Sequence, residues 1–498
     1  MITKTLKVEI WGKEIGRLSW DSRRGLAYFE YNPEFLEGNL DVFPLTASIY
    51  SPASRRPYIG DKERKIYSSL PPFIADSLPD AWGNSVFECW RIERGLSLSD
   101  ITPIDILSFI GKRGMGALEY IPETPGIKRS EKIDLMSLTD LAHRIFRERE
   151  SVKISGGEAL TMQSLISVGT SAGGRQPKAI IAMNDKTGEI RSGQIAGRSG
   201  FKYYILKFGD RTRSSAELEM SYYEMALAAK IDMMPSRLIE VSGEKHFITE
   251  RFDRHGDKKL HIQTLAAMYP EADSYEKLIY VCNKLRLQAG SRTEIFRRMV
   301  FNILANNTDD HNKNFSFIMN EEGIWSLAPA YDMTYIFNSG GFLPEVNHCM
   351  MIRGKIRGVT IEDAKQFAKD CEIPSPDKII TEVAQAISQF RQYATKYGVK
   401  ENWIAAIENT INKRLGDWGL MVEEKELSLD IAGHAIHNVR VEQSYGGNFH
   451  LYATIDGRYS KFVIRQKMEE YAQMSKAGVH NLSKDFIEKI VKKYLLKG

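Results

Sequence analysis

The sequence predicts an α+β protein of two lobes, one smaller and sheet-containing and one mainly helical, with an α+β subdomain before them and a small α+β extension after. Three observations predict it. Runs rich in β-branched and aromatic residues, bounded by turn signals, fall within residues 5–31 and again within 179–252. Helix-type apolar spacing takes over in residues 263–416. Asp309 and Asp332, 23 residues apart, flank a segment that reads as a hairpin.

Residues 1–125 open with strands over Thr5–Ile10 and Gly25–Tyr31 and then turn helical, punctuated by Pro71-Pro72 and by Pro122 and Pro125. Gly111–Gly116 is glycine-rich, but no lysine-ended strand or capped helix follows it in phosphate-loop order, so it reads as a structural turn. Residues 128–152 are charged and partly helical, and read as a connector.

Residues 126–262 carry the sheet of the smaller lobe. Ser167, Val168, Gly169, Thr170, Ser171, Ala172, Gly173 and Gly174 lead to Lys178, a small-residue loop whose amides suit an anion, with a strand over Ala179–Ala182 behind it. The loop matches neither the Walker pattern nor G-x-G-x-x-G. Tyr203–Lys207 reads as a strand ending in lysine. Ser214-Ser-Ala-Glu217 reads as a capping box opening a helix through Lys230, with Glu219 and Glu224 both placed to pair with Lys207. His246–Phe252 reads as a strand suited to an inter-lobe hinge.

In residues 263–416, Ser291-Arg-Thr-Glu294 reads as a second capping box, opening a helix with Ile295, Phe296, Met299, Val300, Ile303 and Leu304 on one side. Phe315–Met319, the turn Asn320–Gly323 and Ile324–Leu327 form the hairpin that returns Asp332 beside Asp309. Residues 417–498 hold short strand signals at Leu427–Ile431, Val439–Val441, Phe449–Ile455 and Lys461–Ile464, then a helix over Asp485–Leu496. His434 and His437 have a ligand-like spacing without a nearby cysteine or carboxylate pair, and read as ordinary histidines.

The order of these parts is the chemistry. Asp309 and Asn314 reproduce the interval of a kinase catalytic loop, in which an aspartate accepts the substrate hydroxyl proton and an asparagine five residues on holds Mg²⁺. Asp332 supplies the second metal oxygen, while His311 and Lys313 bring cationic groups to where charge develops on a transferred phosphoryl. Loop, lysine strand, helix with glutamate, hinge, helices, catalytic loop and metal aspartate together make a two-lobed, protein-kinase-like site.

These residues carry a resemblance. The chain resembles the HipA family of Ser/Thr protein kinases, toxins of bacterial toxin-antitoxin pairs, over roughly residues 1–415. The resemblance rests on Gly169–Lys178, Glu250-Arg-Phe-Asp-Arg254, Asp309–Asn314 and Ala330-Tyr331-Asp332, with Ser77-Leu-Pro-Asp-Ala-Trp-Gly83 and Gly114-Met-Gly-Ala-Leu118 typical of the family's N-terminal subdomain. It implies a HipA-type fold, ATP and Mg²⁺, Asp309 as base, Asn314 and Asp332 on the metal, and Lys207 on ATP phosphate. It places Glu250, Arg251 and Phe252 along the adenine site and Ser167 where relatives autophosphorylate, although Thr170 and Ser171 offer further hydroxyls. It implies a protein substrate in the translation machinery, of the aminoacyl-tRNA synthetase class, and a small helix-turn-helix antitoxin through which alone the kinase meets DNA. Asp310 departs from the glycine of the best-known members, which raises either repulsion of ATP phosphates or a further metal contact.

Composition fits without deciding. With 498 residues, 43% hydrophobic and 27% charged, the chain holds two or three ordinary globular cores, and a net charge of +4 is too small to argue nucleic-acid binding. Cys89, Cys282, Cys349 and Cys371 form no CxxC pair, which suits reduced thiols in a cytoplasmic protein, and no apolar run reaches membrane-spanning length. Two other readings share the scaffold: a catalytically weak module acting as antitoxin-bound co-repressor, and a small-molecule phosphotransferase.

Overall fold

The computed structural model describes residues 4–125, 133–148, 165–166, 176–193, 200–256, 258–338 and 343–420, and five strands between residues 429 and 474. They divide into two compact units, residues 1–420 and 421–498.

The first unit opens on a five-stranded antiparallel sheet whose neighbours run Tyr58–Ile59, Leu26–Tyr31, Lys13–Asp21, Thr5–Ile10 and Leu118–Ile121. Alternation explains it: Leu6, Val8 and Ile10 are fully buried while Thr5, Lys7 and Glu9 turn outward. Phe29, Phe43 and Phe73 pack edge-on and tilted beneath the sheet, Phe29 and Phe73 with ring centroids 5.4 Å apart. Pro103–Ile110, capped reciprocally by Thr102 and Asp105, closes the subdomain.

The smaller lobe is a second antiparallel sheet, ordered Ile190–Ser192, Lys178–Met183, Lys202–Lys207, Glu244–Glu250, Ser236–Val241. Its central strands are covered on both faces. Ile181, Leu206 and Ile248 face a cluster that includes Leu138, Leu141, Ala142 and Ile145. Phe247, one residue earlier than Ile248, faces Ala216, Met220 and Tyr223. Within the stretch read as a connector, Leu135–Glu148 is a packed helix, because five of its apolar residues have a sheet to bury against.

The expected helix after Ser214 spans Ser215–Ala228, but no capping box forms: Ser214 sits at φ +51°, and its hydroxyl accepts a hydrogen bond from the Lys400 N–H. The second expected box also fails, since the helix Gly290–Leu304 begins before Ser291, and Glu294 serves Arg298 and the Asp232 N–H. With Tyr275–Lys284, Ile361–Asp370, Pro376–Ile387, Phe390–Tyr397 and Glu401–Asp417 these helices enclose a core around Phe296, Phe301, Phe367 and Trp418. The expected hairpin is present as Ser316–Met319 paired with Trp325–Leu327. A third strand, His261–Thr264, joins it, pairing His261 with Met319, so the division expected at 262/263 would cut a strand of the second lobe.

The second unit is an antiparallel meander of Leu429–Ile431, His434–Gln443, Phe449–Ile455, Arg458–Ile464 and Tyr471–Met474, each beside the next. The helix expected at Asp485–Leu496 lies outside the described residues. Among the described residues no helix is long and apolar enough to cross a membrane, and no cluster of three or more His, Cys, Asp or Glu is placed to hold a metal.

Candidate active site

Lys207 is the centre of the site. It stands at the end of its strand directly opposite Lys178 on one neighbour and Phe247 on the other. Its ammonium hydrogen-bonds both Glu219, from the first turns of Ser215–Ala228, and Asp332. Lys207 and Glu219 are buried, and Asp332 keeps 29% of its side chain exposed. Burial alone would lower the Lys207 pKa, but Asp332 and Glu219 more than reverse it and hold the ammonium charged. Burial opposes ionisation of Asp332 too; Lys207 and then Lys178 outweigh it, so the carboxyl titrates below its ordinary value. Glu224, the other candidate partner, points elsewhere, to Lys396 and Tyr397.

Asp332 has φ +54°, the left-handed region that costs a non-glycine residue energy and that Asp tolerates better than most. The neighbouring Tyr331 holds the turn in place, its hydroxyl reaching the Lys313 carbonyl at 2.8 Å and Ser316 Oγ at 2.6 Å. The return strand is thereby tied to the loop Asp309–Asn314.

On that loop Asp309 is half exposed, with His311 Nε2 at 3.8 Å from its Oδ1. Asn314 donates Nδ2 to the Asp309 carbonyl at 2.7 Å, which leaves Oδ1 as the amide's acceptor. The Lys313 N–H donates to His311 Nδ1. The Tyr331–Lys313 bond brings the turn that carries Asp332 against this loop.

Asp310 turns inward. Its fully buried carboxylate accepts from Tyr275 Oη at 2.8 Å, the Cys349 N–H at 2.8 Å and His348 Nδ1 at 2.9 Å. Both expectations raised for it, repulsion of ATP phosphates and a metal contact, are corrected by this orientation: all its bonds go to the scaffold behind the loop.

The hinge divides by side chain. Phe252 lies 5.8 Å from the Tyr331 ring, giving two aromatic faces at the lobe junction. Glu250 is bonded to Lys202 at 2.7 Å. Arg251, expected along the adenine site, is fully buried against Asp253 through two parallel bonds of 2.8 and 2.7 Å and reaches the Gly193 carbonyl, so its guanidinium faces the scaffold. Asp253 also takes Arg254 and the Gly116 N–H, and Arg254 reaches the Gly114 and Gly116 carbonyls. Gly111–Gly116 is thus a structural turn, with Gly116 at φ +73° and a would-be Cβ 3.0 Å from the Ile262 nitrogen.

Ser167, Val168, Gly169, Thr170, Ser171, Ala172, Gly173 and Gly174 lie outside the described residues; Lys178, where their loop ends, is buried and 3.8 Å from Asp80. Asp80 is a residue that motif spacing did not single out. Its only sequence signal was membership of Ser77–Gly83.

The architecture and the lysine-carboxylate cluster define a two-lobed α+β protein with an N-terminal subdomain built into it. Two family models match the chain, one for the HipA N-terminal domain over residues 6–121 and one for the HipA-like C-terminal domain over residues 170–391. The chain belongs to the HipA family. It is 24% identical over 401 residues to Y4mE of Sinorhizobium fredii, a protein with a provisional kinase name, covering 76% of this chain and 88% of that one. A Haemophilus influenzae protein, also provisionally named a kinase, is 26% identical over 200 residues, 36% of this chain and 56% of its own length. The fold is similar to HipA of Shewanella oneidensis, solved with HipB and operator DNA: TM-score 0.60, 16% identity, 86% of this chain and all of that one.

Proposed function

We propose that the protein is an ATP- and Mg²⁺-dependent serine/threonine protein kinase of HipA toxin type. Its target in this reading is a translation protein of the aminoacyl-tRNA synthetase class. Its checks are autophosphorylation at Ser167, with Thr170 and Ser171 beside it, and a small HipB-like antitoxin through which it meets DNA. The observation that carries phosphotransfer is the Lys207 ammonium bound at once to Glu219 and Asp332, since a buried charged network in a cleft is costly for the fold and repaid by function. The provisional kinase names of the two relatives support it, and the HipB complex of the Shewanella protein supports the partner.

The donors fit Mg²⁺. Asn314 Oδ1 and the ionised Asp332 are hard oxygens. The bound ion would neutralise charge on the transferred phosphoryl. Asp309, exposed enough to meet a hydroxyl presented by a protein, takes that hydroxyl's proton as the oxygen-phosphorus bond forms and the bond to the β-phosphate oxygen breaks, releasing ADP. Lys207, its direction fixed by Glu219, would meet the phosphates, and Phe252 and Tyr331 would flank the base.

The test is transfer of γ-labelled phosphate to proteins of a host lysate. Asp309→Ala and Asp332→Ala should each lose all labelled bands while keeping the wild-type circular dichroism, and full labelling by either variant would remove the assignment.

A further inference from the structure

We infer that Asp80, from the N-terminal subdomain, is a positioning residue for nucleotide binding: it is to Lys178 what Glu219 is to Lys207. The inference rests on the kinase reading. Lys178 and Lys207 lie directly opposite on adjacent strands, a pairing of like charges that a sheet does not tolerate without counter-ions. Three carboxylates supply them. Glu219 and Asp332 hydrogen-bond Lys207, and Asp80 Oδ2 lies 3.8 Å from the Lys178 ammonium.

Burial lowers the Lys178 pKa, and Asp332 and Asp80 act against it; Asp332 thus acts on both lysines and is the carboxylate that a metal would claim. With Asp332 so engaged, Lys207 keeps Glu219 and Lys178 keeps Asp80, so each lysine retains a carboxylate that fixes its place.

Asp80 is held for this role. Its Oδ1 caps the helix Ala81–Glu93 through the Gly83 N–H at 2.9 Å, while Oδ2 is buried with no hydrogen-bond partner among the described residues. Trp82, two residues on and fully buried, donates Nε1–H to the Lys178 carbonyl at 2.8 Å, so the same short segment grips the backbone and faces the ammonium of one residue. Four residues before Asp80, Asp76 accepts both the N–H and the hydroxyl of Thr264 in the other lobe. The segment 76–82 therefore touches both lobes.

The experiment measures the affinity of full-length protein for a fluorescent ATP analogue with Mg²⁺, its KM for ATP, and its melting temperature. Asp80→Asn keeps the volume and the helix cap and removes the charge. Expected are an unchanged melting temperature, a roughly tenfold loss of affinity, the scale of one well-placed charge pair, and a rise in KM larger than any fall in kcat. Lys178→Gln tests the pair from its other end, and in that background Asp80→Asn should add little further loss. Wild-type affinity in Asp80→Asn, losses that simply add in the double variant, or a lowered melting temperature with unaltered affinity would each overturn the inference while leaving the kinase reading standing. No nucleotide binding by the wild type would overturn both.

Discussion

Replacing Asp310 by Asn tests the scaffold behind the catalytic loop without assuming any activity. The buried carboxylate accepts three hydrogen bonds, two at Oδ2 from Tyr275 and His348 and one at Oδ1 from the Cys349 N–H. An amide has one oxygen. In its better orientation that oxygen keeps Tyr275 and His348, now as weaker neutral bonds, and the NH₂ group is set against the Cys349 N–H. The Cys349 N–H keeps a longer bond to the Thr308 carbonyl at 3.3 Å, so losing Oδ1 costs about 1 kcal/mol, and exchanging charged for neutral hydrogen bonds costs about 1 kcal/mol more at each of two sites, so the expected loss is about 3 kcal/mol. Urea unfolding followed by tryptophan fluorescence measures it, with hydrogen exchange at residues 345–352 reporting the local opening that should come first. A loss under about 1 kcal/mol, with exchange unchanged, would refute the assignment of Asp310 as the anchor.

Two further outcomes follow from the same geometry. Glu219→Gln should lower kcat/KM for ATP by roughly tenfold or more, while Glu224→Gln should leave it near wild type because that carboxylate serves Lys396 and Tyr397; equal losses would refute the distinction. His246 is buried with Nδ1 accepting the Gly209 N–H, and burial lowers its pKa to about 4 against about 6.5 in the unfolded chain. The depressed value means that its stabilising contribution is whole above pH 6.5 and is lost as pH falls through 4. The difference is about 3 kcal/mol, so His246→Gln should flatten the acid limb of a stability-pH curve by that much, and parallel limbs would contradict it.

Much of this was legible in the sequence where the signal is local. The hairpin Ser316–Leu327 follows from a short polar turn between two apolar runs, and Lys207 at a strand end follows from Tyr203–Leu206 before it. Which glutamate meets Lys207 was not legible: 219 and 224 stand roughly 140° apart on a helix, and only the packed sheet decides which one faces it. Helix starts were found near Ser214 and Ser291, but the boxes were not formed, since Ser214 and Glu294 had partners from other parts of the chain. The inward turn of Asp310 and the hold of Asp80 and Trp82 on Lys178 depend on contacts tens of residues distant, for which residue spacing carries no signal.

The knot at Asp253 bears on how this protein can be divided. Gly116 gives its N–H to Asp253 and, with Gly114, its carbonyl to Arg254, while Arg251 closes the other side of the same carboxylate. A chain cut after residue 125 would strand two guanidinium groups around one aspartate and strip Arg254 of both carbonyls. The two lobes are thus not a cassette that cloning can lift out and join to a new leading domain without breaking this knot.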